Sequence, residues 1–199
     1  HGKGSHGAYP HLGKDPVIAA CEAVLSLQQI ISREVDPLES AVITIGKIYA
    51  GTAVNVIPET ACIEGTARAL SQGTRSLLQK ALDRRLRGIA TAHDVELEFK
   101  WTEGYPPTIN DQAETQYVAD TARRILGNDA FIPAATASMG GEDFAYYLEK
   151  IPGCFFVMGV APSETGVCPG LHSPWYDFND ATIPYAIRLL VGLVIGRVQ

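Results

Sequence analysis

The chain contains 199 residues, of which 46% are hydrophobic and 19% are charged, a composition typical of a folded globular protein and not of a disordered one. With 16 Lys and Arg residues against 22 Asp and Glu residues the formal net charge is −6, and no basic run favours a nucleic-acid partner. The longest apolar stretch, 189–195, is interrupted by glycine, and we predict that it is too short to span a bilayer.

The four cysteines lie far apart, at positions 21, 62, 154 and 168. Their gaps fit neither a zinc knuckle nor a small disulfide scaffold. We therefore predict four reduced thiols, mostly buried, and a cytoplasmic location. Because the chain begins with His1 and not with Met, we also expect it to be part of a longer gene product.

The first hundred residues alternate between predicted helices and strands. A helix is predicted over 14–33, with Asp15 as its N-cap and Pro16 as its first residue. Its predicted buried face consists of Val17, Ala20, Val24, Leu27 and Ile31. A second helix is predicted over 74–93, and strands over 40–50, 60–70 and 95–102. With residues 1–8 extended, this order predicts a four-stranded antiparallel sheet with both helices on one face, a ferredoxin-like layer in an α/β protein.

The second half begins at a predicted boundary, Gly104-Tyr-Pro-Pro107. Helices are predicted over 111–126, 142–150 and 182–198, and extended pieces over 130–135 and 154–159. The last helix carries an apolar stripe that we expect to pack on a sheet: Ile183, Ile187, Leu190 and Val194. Two strands cannot cover three such helices, so we expect a larger sheet whose other strands are not in this chain.

Two histidines are candidates for chemistry. His6 lies in a glycine-rich segment between His1 and His11, where a spacing of five suits neither a helix face nor alternate strand positions, so a compact three-histidine metal site is not favoured. Glycines indicate a close approach to another segment, and His6 could donate to a developing oxyanion or be a solvated surface residue. His172 lies in a polar and aromatic loop, where it could be a metal ligand or a solvated loop histidine.

Two polar pairs are further candidates. Glu142 and Asp143 follow a glycine pair and could supply a base and a ligand, or could interact with the dipole of the helix that follows them. Asn55 and Arg68 could together hold a carboxylate, or could be a turn asparagine and an exposed strand arginine. The sequence contains no Gly-x-Ser-x-Gly elbow, Walker loop or dinucleotide fingerprint.

Taken together, five segments carry a resemblance to a known family. They are Gly4-Ser-His-Gly-Ala-Tyr-Pro-His11, Asn55-Val-Ile-Pro58, Gly65-Thr-Ala-Arg68, Met139-Gly-Gly-Glu-Asp-Phe144 and His172-Ser-Pro-x-Tyr176. In order and spacing they resemble the amidohydrolase branch of the M20 peptidase family, which includes hippurate hydrolase, N-acyl-amino-acid amidohydrolases and plant auxin-conjugate hydrolases. The resemblance implies a zinc-peptidase-like α/β catalytic domain with an inserted lid, or dimerisation, domain. It assigns 1–105 to the lid and 106–199 to the C-terminal part of the catalytic domain.

The resemblance also implies roles for individual residues. It makes His172 a metal ligand, and it makes His6 the lid histidine that stabilises the oxyanion, typically in the active site of the dimer partner. It places Asn55 and Arg68 at the carboxylate of the substrate. The adjacent acids Glu142 and Asp143 match a loop near the metal centre.

The activity that the resemblance implies is hydrolysis of N-acyl amino acids, or of similar small amides, by a two-metal centre of zinc, or of manganese or cobalt. The protein would be a homodimer through the lid. The usual ligand motifs, Cys-x-His or His-x-Asp and adjacent Glu-Glu, are missing here, and only His172 can be matched. We therefore expect the chain alone to be inactive. The alternative is a non-catalytic dimerisation or interaction module derived from the same family.

Overall fold

A computed structural model of the chain describes residues 1–161 and 168–198. The chain divides into two compact units. The first comprises His1–Pro107 and Ser138–Gly141, and the second comprises Thr108–Ala137 and the described part of Glu142–Gln199. The short segment Ser138–Gly141 therefore belongs with the first hundred residues and not with its neighbours in sequence.

The first unit contains two antiparallel strand pairs and two long helices. In chain order these elements are β1 (Ser5–His6), α1 (Pro16–Arg33), β2 (Ala41–Ala50), β3 (Val56–Ile57), β4 (Ala61–Ala69) and α2 (Gln72–Ala92). The pairing of β2 with β4 runs from Ala41 opposite Ala69 to Ala50 opposite Ala61, with a bulge at Gly46. The short strands β1 and β3 form a separate pair, in which His6 lies opposite Val56.

The predicted four-stranded sheet is not what the first unit shows. Its two sheets have two strands each, and residues 95–102 form no strand. The alternating apolar residues of that segment do pack on the core, among them Phe99 and Trp101. The backbone of Glu96 in this segment, however, bonds to His1, whose ammonium donates to Glu96 O and whose carbonyl accepts from Glu96 N, both at 2.8 Å. The alternating pattern of residues 95–102 therefore correctly predicted that its apolar side chains pack on the core, but it did not predict the backbone pairing.

The core of the first unit lies where α1 and α2 meet the β2–β4 pair. It consists of Leu27, Ile30, Val35, Ile43, Leu78, Ala81 and Leu82. Asp15 caps α1 as predicted, with its carboxylate accepting from Val17 N at 2.8 Å. The buried face of α1 is Pro16, Ala19, Ala23, Leu27 and Ile30. The predicted stripe was therefore displaced by about one residue, because α1 is apolar on two neighbouring stripes and the period alone does not choose between them.

The second unit, in its described part, is mainly helical. Its helices are α3 (Gln112–Leu126), α4 (Ala145–Leu148) and α5 (Ile183–Val198). The predicted extended pieces at 130–135 and 154–159 form no strands. Around 155 the side chain of Asn110 occupies the place of a neighbouring strand, because it accepts from Phe155 N and donates to Phe155 O, both at 2.8 Å.

Helix α5 differs from prediction in its packing. It lies against α3, where Tyr117 Oη donates to Leu193 O at 2.7 Å and Arg188 donates to Ile125 O at 2.7 Å. The stripe expected to pack on a sheet is instead exposed: Ile183 44%, Ile187 56%, Leu190 54% and Val194 66%. The stretch Asp180–Val198, which includes α5, is long and apolar enough to cross a membrane by length and composition. The stretch 189–195, for which the prediction was made, is therefore only part of a longer apolar helix.

All four cysteines are free, which agrees with the predicted thiols. Their predicted burial is wrong, since Cys21 and Cys62 are exposed and Cys154 and Cys168 are half-buried. Cys168 Sγ lies 3.0 Å from the carbonyl oxygen of Asp177. None of the four therefore serves as a small apolar core residue.

Candidate functional site

The first candidate residue, His6, lies at the end of β1 beside Asn55. The strand register sets His6 opposite Val56, and Gly7 N donates to Asn55 O at 2.7 Å. The space at Gly7 is tight, because a Cβ placed there would lie 3.0 Å from Asn55 O. The glycine that follows His6 is thus what allows the backbone of Asn55 to come close, as the sequence predicted for this segment.

The His6 ring is held by its own turn. Ala8 N donates to His6 Nδ1 at 3.1 Å, and Tyr9 N donates to His6 O at 2.8 Å. The ring of Tyr9 lies 5.7 Å from the imidazole, at a tilt of 49°. In the part of the chain that the structure describes, Nε2 of His6 has no hydrogen-bond partner. An exposed imidazole with one nitrogen held and the other open is suited to donating to a ligand.

Arg68 lies on β4, opposite Val42. It is exposed, and its Nη1 donates to the carbonyl oxygen of Met139 at 2.9 Å, within the first unit. Asn55 directly precedes β3 of the other strand pair, and among the described residues no hydrogen bond joins it to Arg68. The structure thus brings Asn55 close to His6, and it brings Arg68 close to the loop 138–141, which contains Gly140 and Gly141.

Glu142 and Asp143 lie in the turn just before α4 in the second unit, and both are exposed. Their backbone carbonyls accept from Ala145 N at 3.2 Å and from Tyr146 N at 3.0 Å. This position agrees with the interpretation that the two acids open a helix. The role near a metal that the family resemblance implies stays a prediction.

His172 lies in a tight loop before α5 and is exposed. The loop is closed by bonds from Ser173 N to Gly170 O at 2.8 Å and from Tyr176 N to Ser173 O at 3.1 Å. Across residues 1–161 and 168–198, no three His, Cys, Asp or Glu side chains come together in a way that could hold a metal ion. The described residues therefore do not by themselves fit the expected two-metal centre, to which His172 would contribute one ligand.

A polar cluster that sequence reasoning missed lies on the exposed face of the β2–β4 pair. Tyr49 Oη donates to Glu64 at 2.7 Å, and Lys47 Nζ lies 3.4 Å from the same carboxylate. The hydrogen bond from Tyr49, and then the charge of Lys47, lower the pKa of Glu64, while the bond to Glu64 raises the pKa of Tyr49. Cross-strand position explains the cluster, and the bulge at Gly46 could not be predicted from the sequence pattern.

The second unit also contains an open groove of about 600 Å³ between α3 and α5. Its lining is mainly apolar and includes Phe144, Phe156 and Leu190. An ion pair between Glu114 and Arg197 lies along it. No residue that the sequence predicted for the site lines this groove.

Comparisons with known proteins identify the family. Residues 4–195 match the model of peptidase family M20/M25/M40. The chain is 41% identical over 196 residues to an N-acetyldiaminopimelate deacetylase of Geobacillus sp. (strain WCH70), covering 98% of this chain and 50% of that protein. It is 39% identical over 198 residues to an IAA-amino acid hydrolase of Arabidopsis thaliana, covering 98% of this chain and 44% of that protein.

Among solved structures, the fold resembles a Bacillus subtilis protein described as a dinuclear metal binding peptidase from the M20 family. The TM-score is 0.75 at 30% identity, over 98% of this chain and 48% of that one. The chain belongs to the M20 peptidase family. It spans about half the length of the curated relatives it matches.

Proposed function

We propose that the chain is part of a metal-dependent amidohydrolase that cleaves the amide bond of N-acyl amino acids. Support for the substrate class comes from the names of its relatives, which include an N-acetyldiaminopimelate deacetylase and an IAA-amino acid hydrolase. The coverage of about half of each relative supports the idea that other residues complete the catalytic site. On its own, the 199-residue chain is expected to be inactive.

The observation that carries the proposal is the position of His6. It stands exposed on a strand end, with its ring fixed through Nδ1 and with Asn55 drawn close by Gly7. Amide hydrolysis passes through a tetrahedral intermediate whose oxygen gains negative charge, and a positioned N–H donor stabilises that charge. His6 is the residue that we assign to this task.

Recognition of the substrate carboxylate is assigned to Asn55 and Arg68. An exposed guanidinium and a neutral amide are both suited to binding a carboxylate, with the arginine contributing most of the affinity. Among the described residues no hydrogen bond joins the two side chains, so each would contact the carboxylate independently.

A homodimer through the first unit, acting as the lid, is also part of the proposal. Each sheet of that unit has only two strands, so β2 and β4 both keep an unpaired outer edge, and strand edges are surfaces through which copies of a chain pair. We propose that the protein is cytoplasmic and that it binds neither nucleic acid nor a membrane. The family match extends to residue 195 and so includes the apolar helix α5, which supports a packed rather than a membrane-spanning role for it.

The test uses the complete gene product beside the 199-residue chain. Hydrolysis of N-acetyl, N-succinyl and indoleacetyl amino acids is measured together with metal content. We expect activity and bound metal only in a protein that contains the full ligand set, and loss of both in His172→Ala. His6→Ala is expected to lower turnover and to keep the metal.

The matched control is His93→Gln, because His93 is a C-capping residue of α2 that pairs with Glu22 at 2.6 Å. It should leave turnover unchanged. Loss of metal in His6→Ala would reject the oxyanion role. Self-association without hydrolysis or metal in the complete gene product would instead support the non-catalytic module.

A further inference from the structure

The turn that follows His6 uses three successive backbone N–H groups. Gly7 N donates to Asn55 O at 2.7 Å, Ala8 N donates to His6 Nδ1 at 3.1 Å, and Tyr9 N donates to His6 O at 2.8 Å. The first bond fixes the strand to its neighbour, the third closes the turn, and the second reaches the imidazole itself. Each N–H of the turn therefore has a separate acceptor, and the N–H of Ala8 binds the imidazole ring of His6.

A hydrogen bond from Ala8 to Nδ1 constrains where the imidazole carries its proton. A backbone N–H can only donate, so the nitrogen that receives it must present a lone pair. In a neutral imidazole one nitrogen is the acceptor and the other carries the hydrogen. The bond to one ring nitrogen thus decides what the other nitrogen can do. With Nδ1 as the acceptor, Nε2 is the donor.

We infer that the backbone amide of Ala8 is a positioning group, which selects the Nε2–H tautomer of the His6 imidazole, with that N–H directed at the substrate oxyanion. The role of this proton in catalysis rests on the proposed function. Its location on Nε2 does not. Nε2 lies across the ring from Ala8, on an exposed side chain whose Nε2 is unpartnered within residues 1–161 and 168–198. The proton is therefore both fixed and accessible.

The ring is also restrained from a second direction. The side chain of Tyr9 lies 5.7 Å from the imidazole, and the ring of His11 lies 6.4 Å from that of Tyr9 in an edge-on arrangement. Ring centroids at such distances are typical of aromatic pairs, which favour a defined relative orientation. A donor whose direction is preset needs no reorganisation when charge develops, which is the condition under which a single donor is effective.

The location of the proton is tested by NMR on the ¹⁵N-labelled 199-residue chain near neutral pH. Long-range ¹H–¹⁵N spectra report which ring nitrogen is protonated, and His6→Gln assigns the signals. We expect a higher ratio of the Nε2–H to the Nδ1–H tautomer in His6 than in His11, with a scalar coupling across the hydrogen bond between Ala8 ¹⁵N and His6 Nδ1. His11, whose ring nitrogens accept no bond among the described residues, is the internal control and should show a mixture of tautomers.

Replacing Ala8 by L-lactate exchanges the backbone N–H for an ester oxygen and keeps the side chain. In this variant we expect the tautomer ratio of His6 to approach that of His11, with His11 unchanged. A wild-type spectrum without the coupling, or with a tautomer ratio in His6 no higher than in His11, would overturn the inference whatever the activity of the enzyme.

Activity measurements on the complete gene product test whether the Nε2 proton of His6 stabilises the oxyanion. The amide of glutamine reaches the place of Nε2, and that of asparagine reaches the place of Nδ1. We expect kcat to fall roughly tenfold in His6→Gln and roughly 100-fold or more in His6→Asn, with KM little changed. Equal losses in the two variants would reject Nε2 as the donor. An unchanged kcat in His6→Ala would instead reject the proposed oxyanion role while the tautomer result stands.

Discussion

The guanidinium of Arg68 and the backbone carbonyl of Met139 are joined by a hydrogen bond of 2.9 Å, although 71 residues separate them in sequence. The contact fixes the loop Ser138–Gly141 to strand β4 within the first unit. It occupies one N–H of a side chain that has five. Arg68 can therefore hold this loop and still offer its remaining donors to a carboxylate.

Arg68→Lys separates these two roles. Lysine keeps the charge but loses the planar fork, so the complete gene product should show a KM for N-acyl amino acids that is roughly tenfold higher, with kcat changed little. The corresponding substrate carboxamides, which lack the negative charge, should show a much smaller change.

The matched control is Arg75→Lys. Arg75 also donates to a backbone carbonyl, that of Gly104 at 2.8 Å, but it is assigned no part in the site. Its KM values should match the wild type. Equal effects of Arg68→Lys on the acid and the carboxamide would show that Arg68 only holds the loop.

Local features of the fold could be predicted from the sequence, because their physical causes are local. Asp15 and Asp111 cap helices α1 and α3 through bonds to Val17 N and Glu114 N, only two or three residues away. Pro16 occupies the first turn as its missing N–H allows. The existence and approximate limits of the long helices follow from such signals together with the apolar period.

Features that depend on distant pairing could not be predicted. Residues 95–102 alternate like a strand, but a ladder needs a partner backbone that local alternation does not specify. The same holds for Arg68, whose acceptor lies in a loop that sequence places in the other half of the chain. For α5, the exposed stripe follows from packing against α3, and composition alone predicts only that the helix is apolar.

A glycine in one of the recognised motifs has a structural explanation that stability measurements can test. A Cβ at Gly65 would collide with the backbone carbonyl oxygen of Thr44 on the neighbouring strand. Gly65→Ala should therefore lower the free energy of unfolding by about 2 kcal/mol or more, because backbone must move. Denaturant unfolding followed by circular dichroism measures the change.

The control for this substitution lies in the same strand pair. Gly46 occupies the bulge, has no atom within 4 Å of a built Cβ and does not adopt a left-handed φ. Gly46→Ala should be neutral or slightly stabilising, by up to about 0.5 kcal/mol, because alanine restricts the unfolded chain. Equal losses at the two positions would contradict the register described for β2 and β4.

Gly7→Ala tests the approach of Asn55 to His6. The added methyl would lie 3.0 Å from Asn55 O, so one of the two strands must shift by a few tenths of an ångström. Turnover of the complete gene product should fall about tenfold, because small displacements of positioning groups are costly, while the fold is kept.

The control is Gly88→Ala in α2, where an added Cβ meets nothing within 4 Å. It should stabilise the protein by about 0.5–1 kcal/mol and leave turnover unchanged. Unaltered kinetics in Gly7→Ala would contradict the statement that a glycine is needed beside His6 for the close approach of Asn55.

The carboxylate of Glu34 ties the end of α1 to α2 and makes this junction sensitive to pH. It accepts from Arg84 and, at 2.8 Å, from Arg85 Nε, and its side chain is only 20% exposed. The hydrogen bonds from Arg84 and then Arg85 lower the pKa of Glu34 below its ordinary value. A lowered pKa in the folded state means that the unfolded state binds the proton more tightly, so the stabilisation is complete above about pH 5 and is lost as pH falls through the lowered pKa.

Glu34→Gln keeps the shape and removes the charge. It should cost about 1 kcal/mol of unfolding free energy at pH 7, because solvent screens part of the interaction, and the difference from wild type should shrink steadily towards pH 3. Asp83→Asn, which breaks the exposed pair with Arg87 within α2, should cost less at every pH. Urea unfolding of all three proteins between pH 3 and pH 7 measures both trends. A cost for Glu34→Gln that stays constant with pH would mean that packing of the side chain, and not its charge, stabilises the junction of the two helices.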